Sequence, residues 1–116
     1  MYDVFPVYEV LTVRYAWSGA KTNQEVIPAV ANKRIVVDKL IYAHTAGSSV
    51  TLSFATGAAH DVIGPGITVS FEGTEVNMHL KLPVGQNLEF TVPAGTGASV
   101  LYFEYHLESG IVPKNV

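Results

Sequence analysis

Apolar and polar residues alternate along most of this chain. Val50, Leu52 and Phe54 alternate with Thr51, Ser53 and Ala55. Ile67, Val69 and Phe71 alternate with Thr68 and Ser70, and Val76, Met78, Leu80 and Leu82 with Asn77, His79 and Lys81. Leu88, Phe90 and Val92 alternate with Glu89 and Thr91, and Leu101, Phe103, Tyr105 and Leu107 with Tyr102, Glu104 and His106. A period of two puts one face of a strand inward and the other outward. No window of helical length repeats apolar residues at spacings of three and four.

Gly, Pro and Asn punctuate these runs at Ser18-Gly19, Ala31-Asn32-Lys33, Gly47-Ser48, Gly64-Pro65-Gly66, Glu72-Gly73, Pro83-Val84-Gly85 and Pro93 to Gly97. Such residues supply turn angles and end ladder pairing. About eight strands follow, at the roughly 8–12-residue spacing of sandwiches and barrels. They are predicted near 7–17, 24–30, 33–45, 49–56, 66–71, 75–82, 87–92 and 98–107. The fold class is all-β: an antiparallel β-sandwich, jelly-roll-like, with two sheets face to face. An immunoglobulin-like sandwich is the alternative, without the Cys-Trp-Cys signature.

The chain has 116 residues, which reads as a single domain spanning 1–116, with short apolar arms at about 1–7 and 109–116. The arms carry Tyr2, Phe5 and Val7 at one end and Ile111 and Val112 at the other. They either pack on their own domain or reach a neighbouring subunit. Cysteine is absent, which removes disulfides, thiolate metal sites and thiol nucleophiles. Net charge is -3, and the only adjacent basic pair is Lys33-Arg34, so no nucleic-acid footprint is present. No apolar run approaches the roughly 20 residues of a membrane span. Residues 1–17 lack the basic start and cleavage site of a signal peptide. Charged residues are only 15% against 48% apolar, which suggests that part of the surface meets a partner.

Candidate chemistry is sparse. His44, His60, His79 and His106 show no metal-ligand spacing and read as surface histidines. His60-Asp61 falls between Gly57 and Gly64, in what reads as a turn. Glu72 and Glu75 read as the two sides of a hairpin around Gly73-Thr74. The three aspartates are far apart, unlike a calcium loop. There is no G-x-S-x-G, P-loop or G-x-G-x-x-G. The expectation is a protein that is not an enzyme and takes no cofactor. Tyr15 and Trp17 share a face with Leu11 and Val13, which reads as core; an aromatic platform for a sugar stays open as a minor reading. A metal-dependent cupin-like enzyme is a third possibility, decided by metal analysis.

The stretch from Ser18 through Asn23-Gln24-Glu25-Val26-Ile27-Pro28-Ala29-Val30-Ala31-Asn32-Lys33-Arg34-Ile35-Val36-Val37 to Leu40 resembles small structural proteins of tailed bacteriophages. In these a segment of the form I-x-A-V-x-G-K-R-I-x-V is common. A strand like Val50 to Phe54 follows, then a Gly-Pro turn, then a segment like Leu82-Pro83-Val84-Gly85-Gln86-Asn87-Leu88, and a last strand with Tyr102-Phe103-Glu104-Tyr105. The resemblance covers about residues 18–107. Asn32 stands where Gly is expected, and Asn also accepts the left-handed turn conformation. The resemblance implies a virion protein made in the host cytoplasm: a capsid decoration, or cement, subunit that binds the major capsid protein as a homotrimer, with no nucleic-acid or membrane partner. A fibre or tail component, or a carbohydrate-binding module contacting the host, is the alternative. Within the family-like stretch, Asp38-Lys39 breaks the alternation of its strand, which predicts a bulge or an edge. The expected interface is therefore Tyr2, Phe5, Val7, Asp38, Lys39, Ile111 and Val112.

Overall fold

The computed structural model describes residues 9–45, 49–69, 73–93 and 97–109. Within them the chain forms eight strands: β1 (Leu11–Ser18), β2 (Lys21–Ile27), β3 (Lys33–His44), β4 (Val50–Thr56), β5 (Asp61–Val69), β6 (Thr74–Lys81), β7 (Leu88–Val92) and β8 (Ala98–Ser109). They build two four-stranded antiparallel sheets: sheet A in the order β1-β8-β3-β6 and sheet B in the order β2-β7-β4-β5. β4 pairs with β5, β3 with β6, β2 with β7 and β1 with β8. The chain is thus one long hairpin rolled over itself, and the β3–β8 and β4–β7 contacts close the roll. This is the double-sheet jelly roll. The immunoglobulin arrangement, which keeps its first, second, fifth and fourth strands in one sheet, does not form.

The inward rows predicted by alternation meet between the sheets. From sheet A come Ile35, Val37, Leu40, Tyr42, Leu101 and Phe103, all fully buried. From sheet B come Ile27, Leu52, Phe54, Leu88, Phe90 and Val92, each no more than 2% exposed. Removing a Leu, Ile or Phe side chain from water contributes about 1.5–3 kcal/mol. Val13, Tyr15 and Trp17 pack on this core from β1, as the apolar face of that strand predicts. Trp17 stacks on Tyr42 at 6.0 Å and meets Phe90 at 4.7 Å between ring centroids.

Several boundaries differ from the sequence reading. β1 starts at Leu11, since Glu9 and Val10 are exposed and outside the ladder. β2 runs from Lys21 to Ile27, three residues earlier than expected. The turn at Ala31-Asn32 does form, with Asn32 left-handed (φ 62°) and Lys33 N–H donating to the Val30 carbonyl at 3.1 Å. It is not a hairpin: it carries the chain from sheet B to sheet A. The β5–β6 link also changes sheets, so Glu75 does not bracket a hairpin, and Glu72 lies outside the described residues. β5 begins at Asp61 and runs through Gly64-Pro65-Gly66, which had read as a turn. β5 is an edge strand, where a missing N–H costs no ladder bond. The three residues bulge opposite Ser53, between the pairs Leu52↔Ile67 and Phe54↔Ile63.

Candidate functional site

The outer face of sheet A can be built row by row from the strand register. One row runs Arg14, Tyr102, Ile41, Glu75 across β1, β8, β3 and β6. The next runs Thr12, Glu104, Lys39, Asn77. On the other side lies a row of small apolar residues: Ala16, Val100, Ala43. Because these side chains are short, they leave an open hollow of about 420 Å³, with Arg14 and Thr45 among its lining residues.

Asp38 and Lys39 belong to this face. Against β8 the register steps from Val37↔Tyr105 to Lys39↔Glu104, so Asp38 is the bulged residue; against β6 it steps from Val37↔Leu80 to Lys39↔Asn77, so Met78 and His79 together stand opposite Asp38. The predicted bulge is present. The predicted edge is not: β3 lies between β8 and β6. The bulge turns Asp38 toward β8, where its Oδ2 lies 2.7 Å from His106 Nδ1. His106 Nε2 lies 2.9 Å from Glu108 Oε2. Burial opposes a charge on His106, but hydrogen bonds to Glu108 and Asp38 and their negative charges outweigh it, and its pKa is raised above 6.5. Glu108 is held below its ordinary value, first by the bond from His106 and also by Lys81 and Arg34. Lys39 reaches Glu75 on β6 at 3.6 Å. Tyr2, Phe5, Val7, Ile111 and Val112 lie outside the described residues, while Ser109, assigned to the second arm, ends β8.

A second polar cluster sits at one end of sheet B. Glu25 and Glu89 are direct register partners, a placement that costs energy for like charges. Asn87 relieves it: its Nδ2 donates to Glu25 Oε2 at 2.8 Å and to Glu89 Oε2 at 3.4 Å. Its Oδ1 accepts the Gly57 N–H at 2.9 Å, and Thr56 Oγ1 donates to its carbonyl. His60 Nδ1 lies 2.6 Å from Glu89 Oε1. The cluster therefore ties the β4–β5 turn to β7 and β2.

Of the four histidines, His79 is exposed as expected. His60 is exposed too, though held by a carboxylate, whereas His44 and His106 are not surface residues. His44 is only 2% exposed beside Tyr42, because it continues the inward row of β3. His60 ends the turn left-handed (φ 54°) with its ring on buried Glu89. His106 is clamped between carboxylates. The break in alternation at Asp38-Lys39 was the signal for the clamp; nothing local in the sequence points to its partners. Among the described residues, no group of three or more His, Asp or Glu side chains is placed to hold a metal ion. Trp17 and Tyr15, the candidate sugar platform, turn their rings toward the core. No family model matches the chain, and no curated protein matches it.

Proposed function

We propose that this chain is a non-enzymatic structural protein of a tailed-bacteriophage virion. It is a capsid decoration, or cement, subunit that binds the major capsid shell as a homotrimer and acts by adhesion. The observation that carries this reading is the outer face of sheet A: an open apolar hollow around Ala16, Ala43 and Val100, with Arg14 among its lining. The polar clusters beside it join strand to strand, as Lys39 does to Glu75 and His106 to Asp38. A jelly roll with an apolar hollow beside charged rows on one sheet face suits a subunit that clamps the joints of a shell. A stable contact of that kind buries on the order of 1,000 Å² or more.

Co-sedimentation with shells of the phage that encodes the chain tests this. The full chain is expected to pellet with the shells. Ala43→Glu, which puts a charge into the hollow, is expected to weaken binding about tenfold or more while the circular dichroism spectrum is unchanged. Deleting residues 1–6 or 110–116 is expected to weaken shell binding or trimer formation and leave the sandwich folded. Absence of binding by the full chain refutes the reading; equal binding by both deletions refutes a role for the arms.

A further inference from the structure

We infer that the two edges of sheet A form the self-assembly contact, with the β1 edge of one copy pairing antiparallel to the β6 edge of the next. The inference rests on the self-association in the proposed function and names its contact. Sheet edges present unpaired backbone groups that invite another strand, and proteins that avoid this break the edge with bulges or Pro. Both edges of sheet B are broken in that way. β2 meets β7 with two register shifts, and Asn23 within it is left-handed (φ 46°). β5 carries the Gly64-Pro65-Gly66 bulge.

The β1 edge of sheet A is different, and so is the Thr74–Asn77 half of the β6 edge. β1 pairs with β8 residue for residue from Leu11 to Ser18 with no shift. Neither β1 nor β6 contains Gly or Pro, and both alternate strictly between half-buried and exposed positions. Among the described residues, no strand pairs with the outer side of either. β6 carries one register shift against β3, at Met78-His79, but its Thr74–Asn77 half pairs without a shift and keeps, like β1, the ladder geometry an added strand requires.

Direction and charge select the pairing. β1 is antiparallel to β8, β8 to β3 and β3 to β6, so β1 and β6 run in opposite directions. A copy related by an axis along the strands therefore brings its β6 antiparallel to β1. Arg14 and Glu75 occupy opposite ends of one row, so a level contact sets Arg14 against Glu75 of the next copy. Thr12 then meets Asn77, and on the inner side Val13 meets Val76. Glu75 is 55% exposed even with Lys39 beside it, so a second cation has access. Two β1 edges paired with each other, faces kept and overlap greatest, centre on Arg14 or Tyr15. That sets the strand's only charge opposite itself or on the adjacent diagonal, which is unfavourable. A head-to-tail contact between two different edges closes into a ring when its rotation closes.

Charge reversal tests the contact. Arg14→Glu and Glu75→Arg, each alone, are expected to weaken the oligomer seen by native mass spectrometry and sedimentation about tenfold or more; the double swap is expected to restore it. Both side chains are exposed, and circular dichroism checks that each variant folds. A second readout uses the absence of cysteine. Oxidised Thr12→Cys/Asn77→Cys is expected to give a covalent ladder, and either cysteine alone none. A wild-type chain that sediments as a monomer overturns the inference and leaves the β1 edge to the chain's own terminal segments or to solvent. So do single reversals that leave the oligomer intact, or cross-linking by Thr12→Cys alone. Oligomers that behave as expected but ignore phage shells leave this contact standing and remove the cement reading; monomers that bind shells do the reverse.

Discussion

Replacing His106 by Gln separates the charge of the imidazole from its bulk. Both ring nitrogens face carboxylate oxygens, at 2.7 Å and 2.9 Å. Only the doubly protonated ring can donate on both sides. A hydrogen bond involving a charged group contributes about 1.5–3 kcal/mol. Asp38 is 33% exposed and Glu108 22%, so solvent screening reduces each to about 1 kcal/mol, or about 2 kcal/mol for the clamp. The folded pKa of His106 is raised above 6.5, so its contribution is complete below pH 6.5 and is lost as pH rises through the folded value. The folded pKa of Glu108 is lowered below 4.5, so its contribution is complete above pH 4.5 and is lost as pH falls through the folded value. The clamp is thus strongest between pH 4.5 and 6.5. Urea unfolding near pH 5.5 is expected to show His106→Gln less stable by about 2 kcal/mol, or about 8 °C in Tm for a chain of this size. Well above the folded pKa the wild-type ring has one acceptor nitrogen facing a carboxylate, and the gap is expected to shrink to about 0.5 kcal/mol or less. An equal loss at both pH values refutes the charged clamp and reduces His106 to packing.

Phe90→Ala is expected to cost about 3–5 kcal/mol by guanidinium unfolding, because the ring is fully buried and touches Trp17 and Tyr15; a cost under about 1 kcal/mol refutes its place in the core. Gly85→Ala and Gly57→Ala both force a side chain into left-handed backbone (φ 74° and 77°), which costs about 1–2 kcal/mol. The added Cβ at Gly85 meets open space and at Gly57 meets only the end of the flexible Gln86 side chain, which can move aside, so the two variants are expected to lose similar stability in thermal melts, and a loss at Gly57 more than about 2 kcal/mol larger refutes this. Asn87→Ala removes the amide between Glu25 and Glu89 and the acceptor for the Gly57 N–H; a loss of about 2 kcal/mol at neutral pH is expected in urea, and Asn87→Asp is expected to be no better because it adds a third carboxylate.

The strands with clean alternation were legible in the sequence. β4, β6, β7 and β8 fall within one or two residues of their predicted spans, and their apolar members fill the core. β5 was cut short because Gly64-Pro65-Gly66 has turn chemistry, and only its edge position lets a strand absorb it. Strand order was not carried by local pattern, so crossings between sheets at Asn32 and Gly73 read as hairpins. The candidate face shows the same divide. Asp38-Lys39 announced itself by breaking a period of two, but His106 is distant in sequence and its role depends on which strand lies beside β3. The hollow is made of Ala16, Ala43 and Val100, small residues that carry no signal until three strands bring them together.

The nesting of the rolled hairpin also sets an order of events. The pairings β4–β5, β3–β6, β2–β7 and β1–β8 enclose progressively longer loops. Loop closure costs more as the enclosed segment lengthens, and folds rich in distant contacts form slowly. β1 therefore docks last, and only onto a β8 that has already been synthesised. A half-made chain on the ribosome holds the central pairs but not the regular Leu11–Ser18 edge. On the edge pairing inferred above, copies emerging side by side would be kept from joining prematurely, because β1 is the final piece of each molecule to fall into place.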